Sequence, residues 1–262
     1  MTPTVDQQRK ATSFRAQHVR GNPLVLFNIW DPGSAKAVAD AGARALATGS
    51  WSVAAAHGYA DGEQLPFDVA LENVRRIVSS SELPVTFDVE SGYGADAPSV
   101  GKTISRAIET GVVGCNLEDS YPDTGKLRPV ADAVARVRSA RAAAKEGLDS
   151  FFINARTDVF FQAPANEHSR SMLEMAKDRA KAYADAGADG IFAPGLIDPA
   201  LIAELVSSIS LPLNIMIGEG SPPIAALADA GVARVSHGPG PYRSAMNALA
   251  TAARSAMQSR HE

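Results

Sequence analysis

One cysteine, Cys115, stands in 262 residues, so no disulfide can close within the chain and a reducing, cytoplasmic setting is expected. The opening Met1-Thr2-Pro3-Thr4-Val5-Asp6-Gln7-Gln8-Arg9-Lys10 lacks the apolar centre of a secretory signal. No stretch approaches the ~18 uninterrupted apolar residues of a membrane span, so no membrane partner is expected. Excess charge of either sign is missing as well. Basic residues number 25 and acidic ones 29, a net charge of −4 that gives no reason to expect nucleic acid as a partner. No linker or low-complexity stretch divides the chain either. Residues 1–262 therefore read as one domain, with 1–22 a helical extension ahead of its main body.

Repetition is what the sequence does have. Ala39-Asp40-Ala41-Gly42-Ala43 returns as Ala184-Asp185-Ala186-Gly187-Ala188 and as Ala228-Asp229-Ala230-Gly231-Val232, with Glu109-Thr110-Gly111-Val112 a looser copy. Each copy sets a glycine after a helix-like segment and before a short apolar run, the place of a left-handed residue that closes a helix. Helix, glycine, strand repeated along one chain is the pattern of β/α units on a parallel sheet. Apolar runs at 23–30, 43–48, 83–89, 112–117, 150–156, 190–193, 213–217 and 233–237 make eight strands. Helical segments fall near 35–41, 68–80, 97–110, 129–146, 168–186, 198–208, 222–230 and 241–258. Eight units in about 250 residues predict an α/β fold of the (β/α)8 barrel type. An open doubly wound sheet usually carries a glycine-rich phosphate turn after its first strand, and Asp31-Pro32-Gly33-Ser34 is not one. Two long loops, 49–67 and 118–128, follow strands two and four, on the face where barrels of this kind place their active sites.

The chemistry concentrates at that face. Strand three ends in Asp88-Val89-Glu90-Ser91-Gly92-Tyr93-Gly94, and acids two apart on an extended segment project to one side. Carboxylates held close together repel unless a cation lies between them, and a hard oxygen-ligated ion suits the site: Mg²⁺ above all, with Mn²⁺ the alternative. Strand four adds Glu118 and Asp119, loop two Asp61, loop five Arg156 and Asp158, and strand seven Asn214. Acids from neighbouring strands converging on an arginine point to a Lewis-acid site for a small α-oxo acid or carboxylate, with Arg156 taking an anionic oxygen. Other residues read as structural. Cys115 lies inside an apolar run and is expected in the core, and Arg136, Arg138 and Arg141 are expected on the wet face of their helix. His237, at the end of strand eight, is a candidate to face the site.

The same residues carry a family resemblance. Phe87 to Gly94, Gly114-Cys115-Asn116-Leu117-Glu118-Asp119, Asn154-Ala155-Arg156-Thr157-Asp158, Phe27-Asn28-Ile29-Trp30-Asp31 and Thr48-Gly49-Ser50-Trp51 together resemble the phosphoenolpyruvate mutase/isocitrate lyase superfamily over about residues 12–245. The resemblance implies Asp88 as the direct metal ligand, Glu90 and Glu118 acting largely through metal-bound waters, and Asp61 at the edge of the site. It also implies that Gly49, Ser50 and Trp51 hold a substrate carboxylate through backbone N–H groups and that Arg156 contacts the substrate. A homo-oligomer, a dimer of dimers with the helix at 241–258 exchanged between subunits, is the assembly it suggests. The sequence departs from the family pattern in the loop after strand four. Ser120-Tyr121-Pro122-Asp123-Thr124-Gly125-Lys126 stands where the lyases carry a Lys-(Lys/Arg)-Cys-Gly-His run with the acid–base cysteine. Glu90 also stands where aspartate is usual. The expectation is a Mg²⁺-dependent lyase that breaks a C–C bond, or decarboxylates, in a small α-oxo or α-hydroxy acid, with Tyr121 or His237 moving the proton. The alternatives are P–C bond chemistry of the phosphonopyruvate type and a barrel that binds a carboxylate without turning it over.

Overall fold

The glycines of the Ala-Asp-Ala-Gly repeat do what the pattern predicts. In the computed structural model, which describes residues 3–258, Gly42, Gly111, Gly187 and Gly231 have φ between 85° and 101°. Each turns the chain off a helix and toward the next strand. The helices begin by equally local means. Asp31 caps Pro32–Asp40 by accepting the Ser34 N–H at 2.7 Å, Asp96 caps Ala97–Ile108, and Asp198 caps Pro199–Ser208. In all three a proline sits in the first turn, where its missing N–H costs nothing.

The chain runs α1 (Val5–Ala16), β1 (Leu24–Leu26), α2 (Pro32–Asp40), β2 (Leu46–Ala47), α3 (Ser50–Ala56) and α4 (Phe67–Ser79). It continues through β3 (Val85–Asp88), α5 (Ala97–Ile108), β4 (Gly114–Glu118), α6 (Val130–Gly147) and β5 (Phe152–Arg156). After α7 (Arg170–Ala186) come β6 (Gly190–Ala193), α8 (Pro199–Ser208), β7 (Leu213–Met216), α9 (Ile224–Asp229), β8 (Arg234–Ser236) and α10 (Gly240–Gln258). All eight strands pair in parallel in the order β1-β8-β7-β6-β5-β4-β3-β2. The two ends of that sheet meet through a parallel bridge between Ile29 and Thr48, closed by Ile29 N–H to Ala47 O at 2.9 Å and Gly49 N–H to Ile29 O at 3.2 Å. This is the (β/α)8 barrel that eight repeated units require. The N-terminal helix seals its lower end. Gln7 donates to the Ile108 and Val112 carbonyls at 2.9 and 3.0 Å, and Phe14 packs edge-on to Phe152. No helix among the described residues is long and apolar enough to cross a membrane.

Several expectations change. The strands are shorter than the apolar runs, because in a tilted barrel only the central residues of each run pair with both neighbours. The loop at 49–67 contains the helix α3. The apolar run at 23–30 is not covered along its whole length: Val25, in β1, is 36% and Phe27, just after it, 45% exposed. Their outer face lines an apolar cleft of about 570 Å³ with Ala37, Val38 and Ala41 at α2. Arg136 does not lie on a wet face. It is buried, and its guanidinium donates to the Ser91, Gly94 and Ala95 carbonyls at 3.2, 3.0 and 2.9 Å. Nor does Arg141 lie on one: it is half-buried, donates to the Gly187 and Phe151 carbonyls at 2.8 and 3.2 Å and pairs with Asp189. Cys115 is buried in the core as expected, where burial pushes its thiol up.

Candidate active site

Asp88 closes β3 at the C-terminal mouth of the barrel. Its backbone N–H donates to Thr48 Oγ1 at 2.9 Å. Its Oδ2 accepts the Ser50 N–H at 3.1 Å, from the first turn of α3, while its buried Oδ1 has no hydrogen-bond partner. A buried carboxylate oxygen without a donor calls for a cation or a water to satisfy it.

Beyond Asp88 the backbone leaves the extended conformation. Glu90 has φ 51° and Tyr93 φ 47°, so Glu90 reaches the site through a left-handed turn and not by strand alternation. Its carboxylate accepts Tyr93 O–H and Glu63 N–H, both at 2.6 Å, and the Glu63 carboxylate in turn accepts Ser91 O–H at 2.7 Å and Tyr93 N–H at 2.9 Å. Glu63 also has positive φ, 58°. Three non-glycine residues held in this conformation around one carboxylate are a local store of strain of about 1–3 kcal/mol each, of the kind that clusters at working sites. Burial pushes Glu90 up to about 7, against the pull of its two hydrogen bonds, with Asp88 and Asp61 adding repulsion.

Strands β4 and β5 supply the facing wall. Glu118 Oε2 lies 2.7 Å from Arg156 Nη1, and Asp158 accepts Arg156 Nε and Nη2 at 2.6 and 3.1 Å. Burial, helped by Asp158, Asp88 and Glu90, pushes the Glu118 carboxyl up against the opposing pull of Arg156. Asp61, on the exposed rim, is raised by partial desolvation first and by the Asp88 charge second. Three carboxyls raised in one mouth mean that their anionic forms together are unfavourable until a positive charge joins them.

The chamber has two connected parts that share Ser50, Asp61, Arg156 and Phe161. The inner part, about 190 Å³, reaches Asp88, Gly49, Trp51 and Asn28, and the outer part, about 500 Å³, runs past Glu90, Glu118 and Tyr121. Of the residues expected here, Asp61, Asp88, Glu90, Glu118, Arg156, Gly49, Ser50, Trp51 and Tyr121 are brought to its walls. Two others are placed elsewhere. His237 Nδ1 lies 3.3 Å from the Leu26 carbonyl and its ring packs on Phe27, among the residues of the outer cleft. Asn214 sits inside the barrel, buried, in reciprocal hydrogen bonds with the Ser236 hydroxyl at 3.0 and 2.9 Å. The Gly49 and Ser50 N–H groups are also taken, by Ile29 O and by Asp88 Oδ2, which leaves the N–H groups of Trp51 and Ser52 in the first turn of α3 to face a ligand. Asp119 turns away from the mouth to bind Asp158 N–H, Arg179 and Tyr183. Sequence reasoning passed over Glu63, Tyr93 and Ser120. Tyr93, within the strand-three motif, and Ser120, beside two acids at a strand end, stood near a signal; Glu63 did not.

The residues present fit a divalent cation at Asp88. Among the described residues no three His, Cys, Asp or Glu side chains form a ready ligand group, so direct protein ligation would be sparse, with Asp61, Glu90 and Glu118 around the ion and not all on it.

Comparison with known proteins agrees with this geometry. The family model described as phosphoenolpyruvate phosphomutase matches residues 14–257. A Burkholderia cenocepacia crystal structure that carries a provisional phosphonomutase name is 52% identical, with TM-score 0.93, over 95% of this chain and 99% of that one. Oxaloacetate decarboxylase 2 of Pseudomonas putida is 30% identical over 87% of this chain and 74% of its own length. The 2-methylisocitrate lyase of Escherichia coli is 28% identical over 81% and 71%. The chain belongs to the phosphoenolpyruvate phosphomutase family of the phosphoenolpyruvate mutase/isocitrate lyase superfamily, whose members are enzymes: lyases, mutases and decarboxylases.

Proposed function

We propose that this protein is a Mg²⁺-dependent lyase that breaks a C–C bond, by retro-aldol cleavage or decarboxylation, in a small α-oxo or α-hydroxy carboxylic acid. The observation that carries the reading is the unpartnered, buried Oδ1 of Asp88 at the centre of a mouth whose other carboxyls are raised. Asp88 would hold the ion, with Asp61, Glu90 and Glu118 around it and Mn²⁺ as the alternative. When bound, the cation supplies positive charge that polarises the oxygens of an α-oxo acid.

The chain's own residues do the rest. The first turn of α3 presents N–H groups and Ser50 to a carboxylate. Arg156, its plane fixed by Glu118 and Asp158, donates to the oxygen that becomes enolate, and such pre-aimed donors are usually the largest electrostatic contribution to rate. Tyr121 lines the chamber, with the Arg128 guanidinium 4.2 Å from its ring, and is the proton-transfer candidate left once His237 is seen to face elsewhere. A second reading, P–C bond chemistry, draws on Thr124 in the outer wall and on the Burkholderia relative's name. We further propose a homo-oligomer in which α10 of a second copy covers the cleft at Val25 and Phe27, and the lone cysteine suits a reducing cytoplasm.

The test is product formation from oxaloacetate, 2-alkylmalates, methylisocitrate and phosphonopyruvate, with Mg²⁺ present and then chelated. Turnover of a carboxylate is expected, lost with chelator and, in Asp88→Ala, lost together with the Mg²⁺-induced rise in Tm. An Asp88→Ala protein that kept both would sink the metal reading, and turnover of phosphonopyruvate alone would favour the second.

A further inference from the structure

The inner chamber is not uniformly polar. Beside its polar groups the wall is built by Trp51, Phe161, Phe192, Met216 and Pro239. Phe192 and Met216 stand at the ends of β6 and β7, on rigid strands, and Met216 keeps its place because residue 238 is glycine. A Cβ there would lie 2.5 Å from the Met216 sulfur. Ligand groups seated against Phe161, Phe192, Met216 and Pro239 gain by being apolar, since those four side chains carry no hydrogen-bond donor, and the one cation beside them, Arg156, stands 5.5 and 6.0 Å from the Phe161 and Phe192 ring centroids.

The cation count leads the same way. Among the described residues, Arg156 is the one basic side chain lining either part of the chamber. A guanidinium has five N–H groups. Three of those on Arg156 are engaged, by Glu118 at 2.7 Å and by Asp158 at 2.6 and 3.1 Å. Two remain, enough for one substrate oxygen or one carboxylate edge. A second carboxylate would find no donor of this kind and would meet Asp61, Asp88, Glu90, Glu118 and Asp158 at close range.

We propose that the site takes an α-oxo or α-hydroxy acid with a single carboxylate, at the head, and an uncharged apolar substituent seated on Phe192, Met216 and Phe161. This rests on the carboxylate-and-metal reading above and narrows it to retro-aldol cleavage of a 4-hydroxy-2-oxo acid. In that reaction the C3–C4 bond breaks, the hydroxyl gives up its proton as an uncharged aldehyde leaves, and the 2-oxo acid enolate takes a proton back. The acids of the panel above with a second acid group are then the weaker substrates. Phe192 and Met216 are then the specificity-determining residues.

Binding to the Mg²⁺-loaded protein tests this without knowledge of the reaction. Oxalate probes the head group alone. 4-Methyl-2-oxopentanoate and 2-oxoglutarate, each with a five-carbon main chain, differ at the far end, apolar in one and charged in the other. The apolar acid is expected to bind about tenfold more tightly, the size of effect that burying a few methyl groups produces. Met216→Lys, which sets a cation on the wall, should reverse that order. Should the lysine prevent folding, Met216→Gln should shrink the preference in the same direction. Equal or tighter binding of 2-oxoglutarate by the unaltered protein, with oxalate bound, overturns the apolar-substituent inference and leaves the carboxylate reading standing. Failure to bind oxalate overturns both.

Discussion

Glu118 and Asp119 are adjacent acids with opposite destinations. Glu118 faces the mouth and pairs with Arg156, whereas Asp119 points outward into a buried cluster with Arg179 and Tyr183. Strand alternation explains the difference: one residue along β4, the side chain belongs to the other layer. His18 shows a second consequence of burial at the scale of one residue. It stacks on Phe152 with ring centroids 4.0 Å apart, and its Nδ1 lies 2.9 Å from the Phe14 carbonyl. Burial, with the nearby Arg234 charge, lowers its pKa from 6.5 to about 3. The folded protein therefore binds fewer protons than the unfolded chain below pH 6.5. The stability contributed by neutral His18 is fully present above that pH and is lost as the pH falls toward 3. From pH 6.5 to 4.5 this amounts to about 2–3 kcal/mol. Urea unfolding of the unaltered protein and of His18→Phe at both pH values should show the acid loss smaller in the variant by that amount. Parallel pH dependence in the two proteins would show that His18 is not the group responsible.

At the scale of elements, loops hold the site in place. Arg136, on α6, donates to three carbonyls of the turn after β3, and Arg128 donates to the Ser120 carbonyl and the Ser91 hydroxyl. Arg136→Ala is expected to cost about 3 kcal/mol, the penalty for leaving several buried carbonyls without a donor. Arg136→Lys should recover less than half of that, because an ammonium lacks the planar fork that reaches three acceptors. Denaturant midpoints check both, and a loss under about 1 kcal/mol would show that water replaces the guanidinium. The strand-end acids and Arg156 were legible in the sequence, since strand ends at one face of a barrel must converge. The buried role of Arg136 was not. Along a helix, arginines at 136, 138 and 141 look alike, and that 136 and 141 meet neighbouring turns while 138 stays exposed depends on how α6 packs on the sheet.

At the scale of the whole molecule, the outer face of β1 is unlike the rest of the barrel. Val25 and Phe27 stand open beside α2, and α10, 19 residues long, buries only Pro241 among the described residues. Its Leu249 and Met257 are 62% and 70% exposed. An apolar helix and an apolar cleft left open in one chain match the proposed exchange between copies. Phe27→Asp should lower the mass seen by sedimentation velocity while circular dichroism keeps its helical signal. Unchanged mass would place the subunit contact elsewhere.

What the sequence determined by itself was the repeating unit and its count. Helix-closing glycines and apolar runs are local features, and local features specify β/α units wherever they occur. It also determined which acids stand at strand ends, hence the family and the kind of chemistry. The tertiary structure decided which of those groups share a chamber. It turned Asp119, Asn214 and His237 away, brought Glu63 from a distant loop onto Glu90 and Ser91, and set Phe192 and Met216 in one chamber with Asp88. Such contacts join residues far apart in the chain. Side-chain direction beyond a strand end, and the path of a loop over the barrel mouth, follow from packing that no local pattern encodes.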